Sequence, residues 1–183
     1  MDAIPRLNRD SILFVFIDLQ TKLLDKIQRA PEVISGAAML LKAAGILHIP
    51  ALVTSQYRKG LGDVAPEIRE LWTGEIPDKT AFSCGADERI RTEIEQHGRD
   101  VIVLAGVETH ICVLQTALDL LRSGKQVAVV ANVVASRKDR DHELGLHRME
   151  QSGALIVTRE MVVYELLGRA GTDEFKQVLQ LIK

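Results

Sequence analysis

The chain of 183 residues is long enough for one domain with a hydrophobic core and short for two. Hydrophobic residues make up 46% of the chain and charged residues 26%, which is typical of a soluble globular protein. The net charge of −2 gives no electrostatic argument for nucleic acid or an anionic membrane as a partner. We therefore expect one domain over residues 1–183, with no nucleic-acid and no membrane partner.

The first apolar stretch, residues 12–17, is far too short to span a bilayer. The chain also begins without the apolar region and small-residue cleavage site of a secretory signal. Both features favour a cytoplasmic location. The two cysteines, Cys84 and Cys112, are too few for a disulfide framework or a structural zinc site. Each is therefore either a packed thiol or a reactive one.

Five segments are continuous runs of β-branched and aliphatic residues, the pattern of strands buried on both faces of a parallel sheet. These segments are residues 12–17, 50–54, 101–105, 127–131 and the shorter 154–157.

Helical spacing fills the intervals between the strands. A first helix is expected to begin after Pro31, a second to end near Gly98, and a third to end at Ser123 and Gly124. The apolar faces of these helices consist of Val33, Ala37, Leu40, Leu41, Ala44 and Leu47, then Ile90 and Ile94, then Leu114, Ala117, Leu118 and Leu121. Strands that alternate with helices predict an α/β fold with a mostly parallel sheet and right-handed crossovers.

Residues 55–84 break this alternation, since they contain several glycines and prolines and no strong strand pattern. The stretch follows the carboxyl end of a predicted strand, where open α/β sheets build their binding sites. Lys79 lies late in this stretch. On its own it would be interpreted as a solvated surface lysine.

Asp18 directly follows the first predicted strand. A carboxylate at this position enters the crevice above the sheet, although a helix cap or a solvated turn residue would look the same in sequence.

Cys112 follows the strand at 101–105 through a short loop, and Thr109 is a plausible cap for the helix that comes next. This places Cys112 in the first helical turn, where free N–H groups and the helix dipole favour a thiolate. The alternative is a small buried hydrophobic residue, which is the usual fate of a free cysteine.

Three blocks of the chain resemble the isochorismatase-like cysteine hydrolase superfamily: residues 14–20, residues 79–83 and residues 106–113. They occur in the order and spacing of that superfamily, and the similarity extends over nearly the whole chain. Residues 164–171 look like its isochorismatase domain-containing branch. The resemblance implies a three-layer α/β/α sandwich and an assembly of several copies, a homo-oligomer.

The resemblance also implies a catalytic triad of Asp18, Lys79 and Cys112. Cys112 would attack a carbonyl or related carbon, Asp18 would carry the proton, and Lys79 would stabilise the thiolate. Relatives have a cis peptide bond before the residue equivalent to Glu108. This geometry would direct the backbone N–H groups of Glu108 and Cys112 at an oxyanion.

Two departures from the superfamily restrict the chemistry. Members with a metal site have histidines just after the second strand, where this chain reads Thr54-Ser55-Gln56-Tyr57-Arg58. We therefore expect no metal and no cofactor. Members that cleave the vinyl ether of isochorismate often lack the cysteine, so that reaction is not expected either. Residues that flank the triad blocks are candidates for substrate contact or wall packing: Gln20, Leu24, Gln56, Tyr57 and Phe82.

The leading hypothesis is hydrolysis of a small amide or related C–N bond through a covalent Cys112 intermediate. A thiol-redox or reactive-carbonyl scavenger would use the same cysteine without a hydrolytic substrate. A third class is a non-catalytic oligomeric scaffold of the same fold. Cys84 lies close in sequence to Lys79 and is either a packed thiol or a resolving cysteine for Cys112.

Overall fold

The computed structural model describes residues 6–182. Within this range five parallel strands form the central sheet, in the order β2-β1-β5-β6-β7. They are β1 (Ile12–Ile17), β2 (Ala51–Val53), β5 (Val101–Val107), β6 (Gln126–Ala135) and β7 (Leu155–Val157). All five predicted strands are confirmed. The predicted domain of residues 1–183 stays a prediction, and its residues 1–5 and 183 lie outside the described residues.

Two further strands form a separate parallel pair, β3 (Ser55–Gln56) and β4 (Asp78–Lys79). They lie within the stretch expected to be irregular, and each is only two residues long.

Helices cover both faces of the central sheet. They are α1 (Thr21–Leu24), α2 (Ala30–Ile46), α3 (Arg58–Leu61), α4 (Pro66–Arg69), α5 (Glu88–Gln96), α6 (Leu114–Arg122), α7 (Asp139–Gln151), α8 (Arg159–Leu167) and α9 (Asp173–Ile182). A π-helical turn, Thr109–Val113, precedes α6. The three predicted helices correspond to α2, α5 and α6. Helix α2 begins at Ala30, so Pro31 lies inside its first turn and not before it.

The alternation of side chains along β1 separates two apolar layers. Phe14 and Phe16 pack with residues of α2, α8 and α9, whereas Leu13, Val15 and Ile17 pack with residues of α5, α6 and α7. A strand buried on both faces must be apolar at every position, which explains the continuous runs in the sequence. The fold is therefore the expected three-layer α/β/α sandwich.

The strand order reverses beside β1, because the chain goes from β1 to β2 on one side and returns to β5 on the other. Open parallel sheets bind their ligands at this switch point, outside the carboxyl ends of the strands. Asp18 follows β1 at this edge, and Glu108 and the π-helical turn follow β5.

Candidate active site

A buried ion pair joins Asp18 and Lys79. Lys79 Nζ lies 2.6 Å from Asp18 Oδ2, and both side chains are fully buried. The two residues are 61 positions apart in sequence. Lys79, which looked like a surface residue by its sequence, is therefore a core cation. Burial of two charges is tolerated when they are paired and hydrogen-bonded, as they are here.

The short sheet of β3 and β4 positions Lys79 beside Gln56. Gln56 on β3 pairs in register with Lys79 on β4, and Gln56 Oε1 accepts a second hydrogen bond from Lys79 Nζ at 2.7 Å. Gln56 is held in turn by Gln20, whose Oε1 accepts from the Gln56 backbone N–H at 2.7 Å. Gln20 Nε2 donates to the carbonyls of Gln56 and Gly62. Gln20 and Gln56 thus support the lysine.

Asp18 leaves β1 with a φ of +53°, in the left-handed region that non-glycine residues seldom adopt. Its second carboxylate oxygen, Oδ1, accepts a hydrogen bond from Thr54 Oγ1 at 3.1 Å. Sequence reasoning missed Thr54, although its place directly after β2 was the available signal. Burial raises the pKa of Asp18 above its ordinary value, and the charge of Lys79 opposes this rise.

The pairing with Asp18 favours the cationic form of Lys79. Burial acts to lower the pKa of Lys79, but the charge of Asp18 and its hydrogen bond oppose burial and the net shift is upward. The pair therefore places an ammonium beside a carboxylate.

Cys112 lies in the π-helical turn, not in the first turn of the α-helix as expected. Glu108, not Thr109, is the residue that precedes this turn, and no side chain caps it. Thr109 instead hydrogen-bonds through Oγ1 to His142 Nδ1 at 2.9 Å. The predicted cap was wrong because Thr109 finds a partner on α7, which no local pattern reveals.

Cys112 and Asp18 lie close enough to shift each other's pKa. Burial raises the pKa of this thiol, the Asp18 charge raises it further, and Lys79 acts in the opposite direction. The position before α6 was expected to favour a thiolate. The structure corrects this, because desolvation and a neighbouring carboxylate outweigh the lysine. The raised pKa favours the neutral thiol form of Cys112.

The peptide bond between Val107 and Glu108 is cis, as the resemblance implied. The Glu108 carboxylate accepts hydrogen bonds from the Arg137 backbone N–H at 2.9 Å and from Arg137 Nε at 3.0 Å. These contacts tie the loop after β5 to the end of β6. The predicted role of the Glu108 and Cys112 N–H groups as oxyanion donors stays a prediction.

A cavity of about 300 Å³ opens above Cys112. This volume is at the lower end of the range for small-molecule sites. Its wall consists of Lys22, Leu23, Lys26, Gln56, Leu61, Phe82, Glu108, Ile111, Cys112 and Arg137. A larger, open groove of about 720 Å³ along α5 is lined by none of Asp18, Lys79 and Cys112.

The candidate contact residues divide between cavity and interior. Gln56 and Phe82 line the cavity, and Phe82 is 52% exposed. Tyr57 is exposed but does not line the cavity, Gln20 is buried beneath it, and Leu24 packs in the apolar layer around α2. Leu23, its neighbour, is the leucine of α1 on the cavity wall.

Cys84 and His110 have structural partners. Cys84 is fully buried, burial raises its pKa to about 11, and its backbone N–H donates to Thr116 Oγ1. His110 Nδ1 lies 2.9 Å from Ser136 Oγ. Over residues 6–182, no three or more histidine, cysteine, aspartate or glutamate side chains are grouped as metal ligands. That no metal or cofactor is needed stays a prediction.

The isochorismatase domain model matches residues 12–161 of the chain. The chain belongs to the isochorismatase family. A curated relative, isochorismatase domain-containing protein 2 of Xenopus laevis, is 40% identical over 181 residues, which cover 95% of this chain and 84% of the relative. Family membership supports a hydrolase function.

Two solved structures share the fold. The MAR1 ribonuclease of Caenorhabditis elegans has a TM-score of 0.90 and 37% identity, covering 97% of this chain and 92% of that one. The YcaC gene product of Escherichia coli, described as an octameric hydrolase of unknown specificity, has a TM-score of 0.92 and 20% identity, covering 99% and 92%. At that identity the second likeness concerns the fold alone. No described helix is both long and apolar enough to cross a membrane.

Proposed function

We propose that the chain is a metal-independent cysteine hydrolase that cleaves a small amide or a related C–N bond through a covalent Cys112 intermediate. One observation carries the proposal. A thiol at the wall of a small cavity lies beside a fully buried carboxylate, which is itself paired with an ammonium at 2.6 Å. Nucleophilic catalysis requires this arrangement: a nucleophile, a base beside it and a charge that orients the base.

In the first half of the reaction, Asp18 accepts the thiol proton as the Cys112 sulfur attacks the substrate carbonyl carbon. The raised pKa of Asp18 makes it a stronger base than an exposed aspartate, because burial disfavours its charged form. The tetrahedral intermediate then collapses. The C–N bond breaks, the leaving amine takes the proton from Asp18, and an acyl thioester remains on Cys112.

In the second half, water attacks the thioester carbon while Asp18 removes one of its protons. The C–S bond breaks, the sulfur takes that proton back, and the free acid leaves. Lys79 stays protonated throughout and holds the Asp18 carboxylate in place through its hydrogen bond. We assign oxyanion stabilisation to the backbone N–H groups of Glu108 and Cys112, because donors at a helix start lack intrahelical partners.

A panel of small amides and carbamoyl compounds tests the proposal, with release of the amine as the readout. We expect turnover of at least one compound by the wild-type protein, undiminished after dialysis against EDTA, and none by Cys112→Ala. Cys84→Ala is the matched control, since it removes the other thiol without touching the cavity wall. Turnover that survives in Cys112→Ala, or that EDTA abolishes, would contradict the proposal.

Ribonuclease activity is a second candidate, because the 37% identical structural relative bears that name. The cavity argues for a smaller substrate, since it holds about 300 Å³ and the whole chain carries a net charge of −2. Cleavage of labelled single-stranded RNA, lost in Cys112→Ala, would favour the ribonuclease function.

The redox and scaffold hypotheses make different predictions. A thiol-redox or reactive-carbonyl scavenger would show reversible oxidation of Cys112 by peroxide and no hydrolysis across the panel. A non-catalytic scaffold would show neither. We retain assembly as a homo-oligomer and a cytoplasmic location as predictions, the first measurable by sedimentation velocity.

A further inference from the structure

Three cationic side chains line the cavity. Lys22 and Lys26 come from α1 and the turn that follows it, four residues apart, and Arg137 comes from the segment after β6. Both lysines are exposed, so their charges face solvent at the opening and not the core. The proposed hydrolytic chemistry makes no use of any of the three.

The Lys22 ammonium is held in position. Lys22 Nζ donates a hydrogen bond to the carbonyl oxygen of Gly60 at 3.0 Å. An ammonium has three donors, so two remain for a ligand. Lys26 has no carboxylate within salt-bridge distance among the described residues. Asp25, its neighbour in sequence, is exposed and does not line the cavity.

Arg137 cancels the negative charge of the wall. Its Nε and its backbone N–H bind the Glu108 carboxylate, which is the one carboxylate among the described residues that line the cavity. Asp18, deeper in the site, is neutralised in the same way by Lys79. With both acids paired, the described residues of the cavity wall offer no unpaired carboxylate to Lys22 and Lys26.

The rest of the cavity wall is largely apolar, with Leu23, Leu61, Phe82 and Ile111. A ligand that fits has an apolar body against these side chains and a negative charge at the opening. We propose that the substrate is a small amide with an apolar body and a carboxylate, the latter bound by Lys22 and Lys26. This assignment of the substrate class rests on the proposed function, which places the scissile carbonyl at Cys112.

Equilibrium binding to the Cys112→Ala protein tests the inference without turnover. The probes are phenylacetate and phenylacetamide, which share one apolar body and differ in charge, measured by ligand-observed NMR at low salt. We expect phenylacetate to bind at least about fivefold more tightly. Each of Lys22→Gln and Lys26→Gln should weaken phenylacetate binding about two- to fivefold, the range of an exposed ion pair, and leave phenylacetamide unchanged.

Lys42→Gln is the matched control, because Lys42 is exposed on α2 and absent from the cavity wall, so the same loss of charge should change neither affinity. The preference should also shrink when sodium chloride is raised to 0.5 M, since salt screens exposed charges. Equal binding of both probes, or a preference unaffected by the two lysine substitutions, would overturn the inference.

The binding test and the turnover test distinguish failure of the anion site from failure of the proposed function. If the wild-type protein hydrolyses only neutral amides and the probes bind equally, the proposed function stands and the anion site is wrong. If phenylacetate is preferred but no amide is cleaved, the anion site stands and the proposed chemistry is wrong. If a short single-stranded RNA competes with phenylacetate and is also cleaved, Lys22 and Lys26 bind RNA phosphates. That result would overturn the small-substrate assignment.

Discussion

The protonation states of Asp18, Lys79 and Cys112 depend on their burial and on one another's charges. Burial raises the pKa values of Asp18 and Cys112. The pKa of Lys79 is also raised, but here the cause is the paired carboxylate, and burial opposes it. The sequence could indicate which residue types come together, but their protonation depends on tertiary burial. The expectation of a resting thiolate failed for this reason.

Alkylation should distinguish the two thiols by access and not by acidity. Cys112 lines the cavity, whereas Cys84 is fully buried with a pKa raised to about 11. We expect iodoacetamide at pH 7 to label Cys112 faster than Cys84, as measured by peptide mass spectrometry. The rate at Cys112 should lie below that of a free cysteine, since its pKa is raised. Faster labelling of Cys84 would contradict this geometry.

Removal of one partner of the buried Asp18–Lys79 pair should lower the free energy of unfolding more than removal of both. Lys79→Met leaves the buried Asp18 carboxylate without its cation, so we expect a loss of about 3–5 kcal/mol in the free energy of unfolding. Adding Asp18→Asn should recover part of that loss, because no unpaired charge then remains. Urea denaturation of both single variants and the double variant measures the coupling. Additive losses would show that the pair is not coupled.

Activity should require the ionised form of Asp18, so kcat/KM should rise with pH through the pKa of this carboxyl. Burial raises that pKa, so the acid limb of the pH profile should lie above the ordinary value of 3.8. Lys79 lowers the same pKa, and its removal in Lys79→Met should therefore move the limb to higher pH. A limb that stays in place or moves down in this variant would contradict the proposed role of Lys79.

At the scale of elements, long buried strands and amphipathic helices could be predicted and the short elements could not. Strand β1 begins and ends at the residues predicted from its apolar run, Ile12 and Ile17. Strands β3 and β4 have two residues each, too few for any periodic pattern, and they pair across 23 positions of chain. Lys79 therefore could not be placed in the core from local pattern, and only the family resemblance predicted that it lies with Asp18 and Cys112.

Close packing of β5 on β1 should make Gly106 irreplaceable. A Cβ atom there would collide with the backbone carbonyl oxygen of Ile17, and φ is +120°. We expect Gly106→Ala to lower the free energy of unfolding by more than about 3 kcal/mol, a large effect for one substitution. Gly124→Ala is the control, since its φ is +86° but nothing lies within 4 Å of the added atom. It should lose only about 1–2 kcal/mol.

At the scale of the whole molecule, both helical layers pack on one sheet, so the described chain should unfold cooperatively. Trp72, the single tryptophan, packs against the layer around α2 and reports on tertiary structure there. We expect its fluorescence and the far-ultraviolet circular dichroism to give coincident urea transitions, as two-state unfolding requires. Two separated transitions would contradict the predicted single domain.

The central claim is the covalent intermediate on Cys112, and intact-protein mass spectrometry during turnover tests it most directly. A reaction with a cleavable amide is quenched in acid within the steady state and again after the substrate is exhausted. We predict an added mass equal to the acyl group, mapped to Cys112, which disappears once the substrate is consumed. Amide cleavage with no adduct at any time, at a rate that Cys112→Ala retains, would contradict the account.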